Sequence, residues 1–408
     1  MSEAKFVIVG GGMVAGYAVR QFVALGLKPG ELAILSVDKS LPYERPPLSK
    51  GFLAGKDTED SIWINPEEDY RKHGIEVKLG CEISGVNPKR RRLALKSGGE
   101  FGFNKLIVAT GASPRTLEIP GANLRNLYYL RSLEDSKAIR RAAEKVKRAV
   151  VIGGGFIGME VAAVLAQKGI EVTMVLHEDR IGKRLFSQPT SVFFEAYYAA
   201  RGVEFLKSAT VTELRGDGAV SAAMLRGGQE LPCDMVVAGI GVRPITDLLA
   251  NSGIDVADGV TVNEYLETNQ PGVYAAGDVA NYQDVLFAKR RRVEHWDNAV
   301  SQGEYCARAL MGERTPFQHV PYFFSDVFDL SYEYWGDSSG ADQIVHRGDL
   351  SSKSFSVWWL RQKRLVAVFT MSRPDEEREL APKWIEAKQT VSAAKLEDAS
   401  LPVSASLE

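Results

Sequence analysis

Two short glycine-rich stretches carry a spacing with chemical meaning. The first is Gly10-x-Gly12-x-x-Ala15. In such a pattern Gly10 permits a tight turn, Gly12 lets the backbone approach a diphosphate, and Ala15 keeps the next helix close to its strand. The second runs Gly153-Gly154-Gly155-Phe156-Ile157-Gly158-Met159-Glu160, the same pattern with an acid two residues beyond its third glycine. Each loop would place the unpaired N–H groups of a helix end against negative charge. An acid about 20 residues further on is the expected partner of ribose hydroxyls, and Asp38 and Glu178 stand at those places. A carboxylate at Glu178 favours a free ribose 2′-hydroxyl over a 2′-phosphate. Arg184 nearby offers a phosphate partner, so both forms of the dinucleotide stay open.

These residues need strand–turn–helix elements to position them, and the flanking sequence supplies them twice. Lys5–Val9 reads as a buried strand, the stretch from about Met13 to Leu25 as a helix, and Leu32–Leu35 as the next strand. The unit recurs as the strand Ala149–Ile152, a helix from about Phe156 to Lys168, and the strand Glu171–Val175. Two copies predict two Rossmann-like dinucleotide-binding domains and an overall α/β fold. From about Pro316 aromatic residues become dense, and alternation at Ser354–Trp359 and Arg364–Phe369 suggests antiparallel strands. An α+β C-terminal domain is therefore expected, with a loose tail from about Ala393.

At 408 residues the chain has room for two or three domains, and its 45% hydrophobic and 25% charged composition is ordinary for a globular protein. A net charge of −2 offers no electrostatic reason to expect nucleic acid or a membrane as partner. No apolar run approaches the ~18 residues that span a bilayer, and no leader is evident before the first strand. The three cysteines, Cys81, Cys233 and Cys306, are far apart and form no CxxC. A disulfide framework, an iron–sulfur centre and a metal site are not expected. The reading is a soluble chain in a reducing, cytoplasmic setting.

Two dinucleotide sites in one chain rarely serve two nicotinamides. One normally holds FAD and the other NADH or NADPH, which calls for a further segment that touches the flavin ribityl chain. Thr268–Ala280, TNQPGVYAAGDVA, resembles that segment in the pyridine-nucleotide-dependent flavoprotein reductases, with Asp278 as the ribityl ligand. Ala109-Thr110-Gly111 and Gly239-Ile240-Gly241-Val242-Arg243-Pro244 resemble two more motifs of that superfamily. PYERPPLSK at Pro42–Lys50 and RVEHWDNA at Arg292–Ala299 are similar to the branch holding ferredoxin reductases, apoptosis-inducing factor and monodehydroascorbate reductase. The resemblance implies FAD contacts from Asp38, Arg45, Lys50, Ile83, Arg131, Asp278, Glu294, His295 and Trp296, and NAD(P)H contacts from Glu178, Arg184 and Gly241. It implies a discontinuous FAD domain (1–115 and 245–315), an inserted NAD(P)H domain (116–244) and an interface domain (316–408).

In the resembling enzymes the lysine of PPLSK lies near flavin N5 and pairs with the glutamate of GxGxxGxE. Lys50 and Glu160 are thus the candidate catalytic residues. A buried ammonium keeps its charge only beside a partner, and a cation there would stabilise electron density arriving with a hydride. Leu41–Leu53 contains no cysteine, so electrons are expected to leave the flavin directly and not through a thiol. A helix from about Asp297 to Met311 is expected to direct its positive end toward the flavin.

Three readings fit this frame. The first is a small iron–sulfur protein of the ferredoxin or rubredoxin type, which the run Lys289-Arg290-Arg291-Arg292 would steer. The second is a small radical, as in monodehydroascorbate reductase. That family's site is expected to use an Arg and a Tyr, which fall here at Val300 and Phe324, and the loss of both donors argues against a small anion. The third is the slow, redox-sensing behaviour of apoptosis-inducing factor. Oligomeric state is not legible in the sequence.

Overall fold

The computed structural model describes residues 2–408, which group into two compact units. Unit one holds residues through Arg45, Glu59–Ser113 and Arg243–Pro321; unit two holds Pro46–Thr58, Pro114–Val242 and Tyr322–Glu408.

Unit one is built on a seven-stranded sheet. Its parallel part runs Glu76–Lys78, Leu32–Leu35, Glu3–Val9, Glu100–Val108 and Val273–Ala275. The register sets Val9 opposite both Leu35 and Val108, so the glycine loop leaves the sheet at its carboxyl edge. Phe6, Val7, Ile8 and Val9 are all buried, as a strand covered on both faces requires. Each such side chain contributes roughly 1.5–3 kcal/mol on burial. A hairpin, Ile83–Asn87 with Arg92–Leu95, extends the sheet. Pro88–Arg91 forms its turn, with Arg91 in the left-handed region at φ 53°.

Unit two repeats the plan with a five-stranded parallel sheet ordered Val203–Leu206, Glu171–Val175, Arg148–Ile152, Met235–Ala238 and Leu127–Tyr128. A second, antiparallel sheet orders Tyr322–Val327, Leu330–Gly336, Arg364–Met371, Ser354–Arg361 and Gln343–Asp349. Alternation buries Phe355, Val357 and Trp359 on one face and Ser356 and Trp358 on the other, so this sheet is covered on both sides.

The C-terminal residues, expected to be loose, are folded. Ala393–Glu397 is helical, Val403–Ser406 is a 3₁₀ turn, and Leu396 and Val403 are buried. The cause is a buried arginine on the strand Gln343–Asp349. Arg347 pairs with Glu377 at 2.9 Å and donates to the carbonyls of Leu396 at 2.9 Å, Asp398 at 2.6 Å and Leu401. A buried guanidinium needs acceptors for its five N–H groups, and the tail supplies them from its own backbone. Composition does not report this, because the acceptors are main-chain atoms.

Candidate functional site

In unit one the first loop behaves as its spacing requires. Gly10 has φ 122°, and a Cβ there would sit 2.1 Å from the Ala109 carbonyl oxygen. The loop thus presses on the chain at Ala109-Thr110-Gly111, where Thr110 Oγ1 donates to the Ile245 carbonyl at 2.6 Å. Gly12 is the N-cap of the helix Met13–Ala24, with no side-chain cap and no acid in the first turn. Ala15 is fully buried, which brings this helix against its strand. A Cβ on Gly12 would meet only the Arg45 guanidinium, at 3.6 Å. An uncapped positive helix end beside an arginine fits a diphosphate.

Asp38 follows the strand Leu32–Leu35 and is half-buried. Its carboxylate accepts from Tyr43 Oη at 3.0 Å and from the Ser40 N–H at 3.2 Å. Ile83 opens the hairpin strand. Asp278 lies in the 3₁₀ turn Gly277–Val279, directly after the strand Val273–Ala275. The helix Trp296–Leu310 begins one residue before the expected Asp297. His295 is its N-cap and accepts from the Asp297 N–H at 3.4 Å, a structural use of the imidazole. Asp297 in turn pairs with His319. Trp296 Nε1 donates to Glu44 at 2.7 Å.

Within the basic run Lys289–Arg292, Arg290 is exposed and the other three residues are half-buried. Arg290 donates to the carbonyls of Val262 at 2.8 Å and Asn281 at 2.6 Å. Arg291 pairs with the buried Asp284. Arg292 pairs with Asp258 at 3.1 Å and with Glu294. Cations engaged by neighbouring carboxylates project little field, so Arg291 and Arg292 act as fastenings. Glu294 correspondingly has Arg292 as its ion-pair partner.

In unit two the second loop repeats the first. Gly155 is the N-cap of the helix Phe156–Gln167, again with no side-chain cap and no first-turn acid, and a Cβ there would meet nothing within 4 Å. Gly158 packs so that a Cβ would fall 2.2 Å from the Gly153 carbonyl oxygen. Ile157 is exposed, at 40%. Glu178 follows the strand Glu171–Val175 and is half-buried, while Arg184 is exposed on the same loop. Gly241, with φ 98°, accepts from the Arg115 N–H at 2.9 Å. Arg131 stands just before the N-cap Ser132 and donates its own N–H to Asp135 at 3.1 Å.

Lys50 and Glu160, 110 positions apart, meet as expected, with Lys50 Nζ 3.4 Å from Glu160 Oε1. Glu160 is buried in the first turns of the glycine-loop helix. Two hydroxyls that spacing did not reveal also serve it: Ser325 donates at 2.6 Å, and Ser49 donates to its other oxygen. Burial pushes the Glu160 carboxyl above the usual range, against the opposing pull of Lys50 and the two hydroxyls. Lys50 also donates to Asp326 at 3.3 Å and lies 4.4 Å over the Phe324 ring. No sequence motif assigned a role to Ser325 or Asp326, which come from a strand in the aromatic-rich region. Ser49 adjoins Lys50 in PPLSK and was within reach of a motif reading.

Two uncapped glycine loops, each on parallel strands, and a lysine paired with a buried glutamate define a dinucleotide-dependent oxidoreductase. The chain belongs to the pyridine nucleotide-disulphide oxidoreductase family, which matches residues 4–303, and residues 322–407 match the reductase C-terminal family. It is an NAD(P)H-dependent flavoprotein oxidoreductase that uses FAD. Among individual proteins, it is 37% identical to monodehydroascorbate reductase 4, peroxisomal, of Arabidopsis thaliana, over 95% of this chain and 83% of that one. It is 35% identical to monodehydroascorbate reductase 2 of the same plant, covering 96% of each. Its structure is similar to that of putidaredoxin reductase in a covalent complex with putidaredoxin, with a TM-score of 0.94 and 32% identity over 99% and 98% of the two chains. A ferredoxin reductase from Rhodopseudomonas palustris is equally similar, at 0.94 and 31% over 98% and 99%. All three cysteines are free thiols, Cys233 and Cys306 buried and Cys81 half-buried. Burial raises the Cys233 thiol to about 12. Among the described residues no helix is long and apolar enough to cross a membrane.

Proposed function

We propose that the chain oxidises NADH, or NADPH, and passes electrons to a small iron–sulfur protein. In this reading residues 1–115 and 245–315 hold FAD, residues 116–244 hold the nicotinamide cofactor, and 316–408 form the interface domain. Gly10, Gly12, Ala15 and Arg45 take the FAD diphosphate, Asp38 its ribose, and Asp278 its ribityl chain. Ile83, Ala109, Thr110, Gly111, Arg131, Glu294, His295 and Trp296 complete that site. Gly153, Gly155, Phe156, Ile157 and Gly158 take the nicotinamide diphosphate, with Glu178, Arg184 and Gly241 around its ribose. When bound, FAD supplies the conversion of a two-electron hydride into single electrons.

Lys50 is the observation that carries the chemistry. Glu160, buried 3.4 Å away, holds its ammonium in place. A fixed cation there stabilises negative charge that develops beside it without reorganising solvent. For the acceptor, the likeness to two ferredoxin reductases at TM-score 0.94 favours an iron–sulfur partner. Val300 and Phe324, apolar where a small anion needs paired donors, point the same way. Sequence identity to the monodehydroascorbate reductases favours a second reading, reduction of a small organic radical. The free thiols suit a reducing compartment such as the cytoplasm.

The test is NADH consumption with a panel of acceptors. Rapid turnover with a [2Fe–2S] ferredoxin and slow turnover with the ascorbyl radical supports the first reading. The opposite pattern moves the assignment to the second. Turnover with neither, together with a long-lived long-wavelength absorbance after NADH addition, would mark a slow redox sensor.

A further inference from the structure

Three consecutive residues of the strand Tyr322–Val327 converge on one ion pair. Phe324 and Asp326 share a face, by the two-residue period of a strand, and both meet Lys50. Ser325 points the other way, is buried, and donates to Glu160. The lysine therefore has two carboxylates at almost equal range, Glu160 at 3.4 Å and Asp326 at 3.3 Å. They differ in setting. The Glu160 side chain is 6% exposed and has two hydroxyl donors of its own, whereas Asp326 is 52% exposed. One ammonium cannot fully neutralise two carboxylates. The solvent-facing one is the adjustable member, since its attraction is weakened by water and salt.

We propose that Asp326 is a positioning residue for Lys50: as its second counter-ion it screens the ammonium and thereby lowers the electron affinity of the bound flavin. The inference rests on reading Lys50 as the cation beside the flavin. Loss of the Asp326 charge leaves more of the lysine's field for the reduced cofactor, which is the more negative form. The effect is one of tuning, because a half-exposed pair is weak.

The experiment is a dye-coupled titration of the flavin midpoint potential in the holoenzyme. Asp326→Asn shifts the potential positive, Asp326→Glu returns it toward the parent value, and the difference between parent and Asp326→Asn shrinks in high salt. Lys50→Gln shifts it negative. An unmoved potential in Asp326→Asn, with Lys50→Gln still shifting, overturns the role of Asp326 alone. If neither variant moves the potential, the placement of Lys50 fails and the inference goes with it. Should Asp326→Asn not fold, Asp326→Ser carries the same comparison.

Discussion

Glu44 and Trp296, 252 residues apart in the chain, are joined by a hydrogen bond of 2.7 Å from the indole Nε1 to the carboxylate. The other carboxylate oxygen accepts from Tyr17 Oη at 2.6 Å. One side chain thus ties the first glycine-loop helix to the start of the helix Trp296–Leu310. Burial, reinforced by Glu44, raises the Tyr17 phenol and keeps it a donor. Glu44→Ala leaves two partly buried donors without an acceptor and is expected to cost roughly 1–3 kcal/mol. Glu44→Gln, which keeps an oxygen acceptor, loses less. Chemical denaturation with tryptophan fluorescence reads both, and equal stability of the two variants would remove this role.

Lys50→Ala and Glu160→Ala are each expected to slow flavin reduction by NADH by roughly 10²-fold while FAD stays bound. The Glu160 variant also removes the acceptor of two hydroxyls and one of the lysine's two carboxylates, so it unfolds more easily than the Lys50 variant. Stopped-flow bleaching of the flavin band at parental speed would dismiss both from the reaction.

Glu178→Ala narrows the preference for NADH over NADPH, and Arg184→Ala lowers use of NADPH. A carboxylate repels a 2′-phosphate and accepts from a 2′-hydroxyl, so its loss acts on the ratio of the two kcat/KM values. An unaltered ratio would place the carboxylate out of reach of the ribose.

Arg347→Leu should release the tail. Its loss unpairs the carbonyls of Leu396, Asp398 and Leu401. The cost is about 3 kcal/mol, the low end for breaking a buried ion pair, because Arg373 remains on Glu377 at 2.7 Å. Limited proteolysis then cuts near Ala393–Glu397, where the parent resists. Equal protease resistance would show that other contacts hold the tail.

Acid stability depends in part on Asp329. A hydrogen bond from Tyr197, helped by Lys353, lowers its carboxyl to about 2. Its folded value lies below the unfolded one of about 3.9. Its contribution is therefore complete above about pH 4 and is lost as pH falls through about 2. The side chain is largely exposed, so the contribution stays under ~1 kcal/mol. Asp329→Asn should flatten the stability curve between about pH 4 and 2, measured by urea unfolding. A parallel loss in parent and variant would assign the acid sensitivity elsewhere.

Much of this was written locally. The strands Leu32–Leu35 and Glu171–Val175 and the helices that follow each glycine loop coincide with their expected bounds to within one residue. Turn chemistry and hydrophobic period act over a few residues, and a single sequence displays them. The Lys50–Glu160 contact was legible only through two motifs whose partnership the resemblance supplied.

The sequence by itself determined the two nucleotide-binding folds, because each needs only a strand, a glycine turn and a helix in immediate succession. Tertiary structure decided what surrounds the reactive pair and what holds the tail. Ser325 reaches Glu160 across 165 residues, Glu44 reaches Trp296 across 252, and the tail's acceptors for Arg347 are backbone carbonyls. Such contacts depend on how strands and loops are brought side by side, and spacing along a chain carries no measure of distance once the chain has turned back on itself.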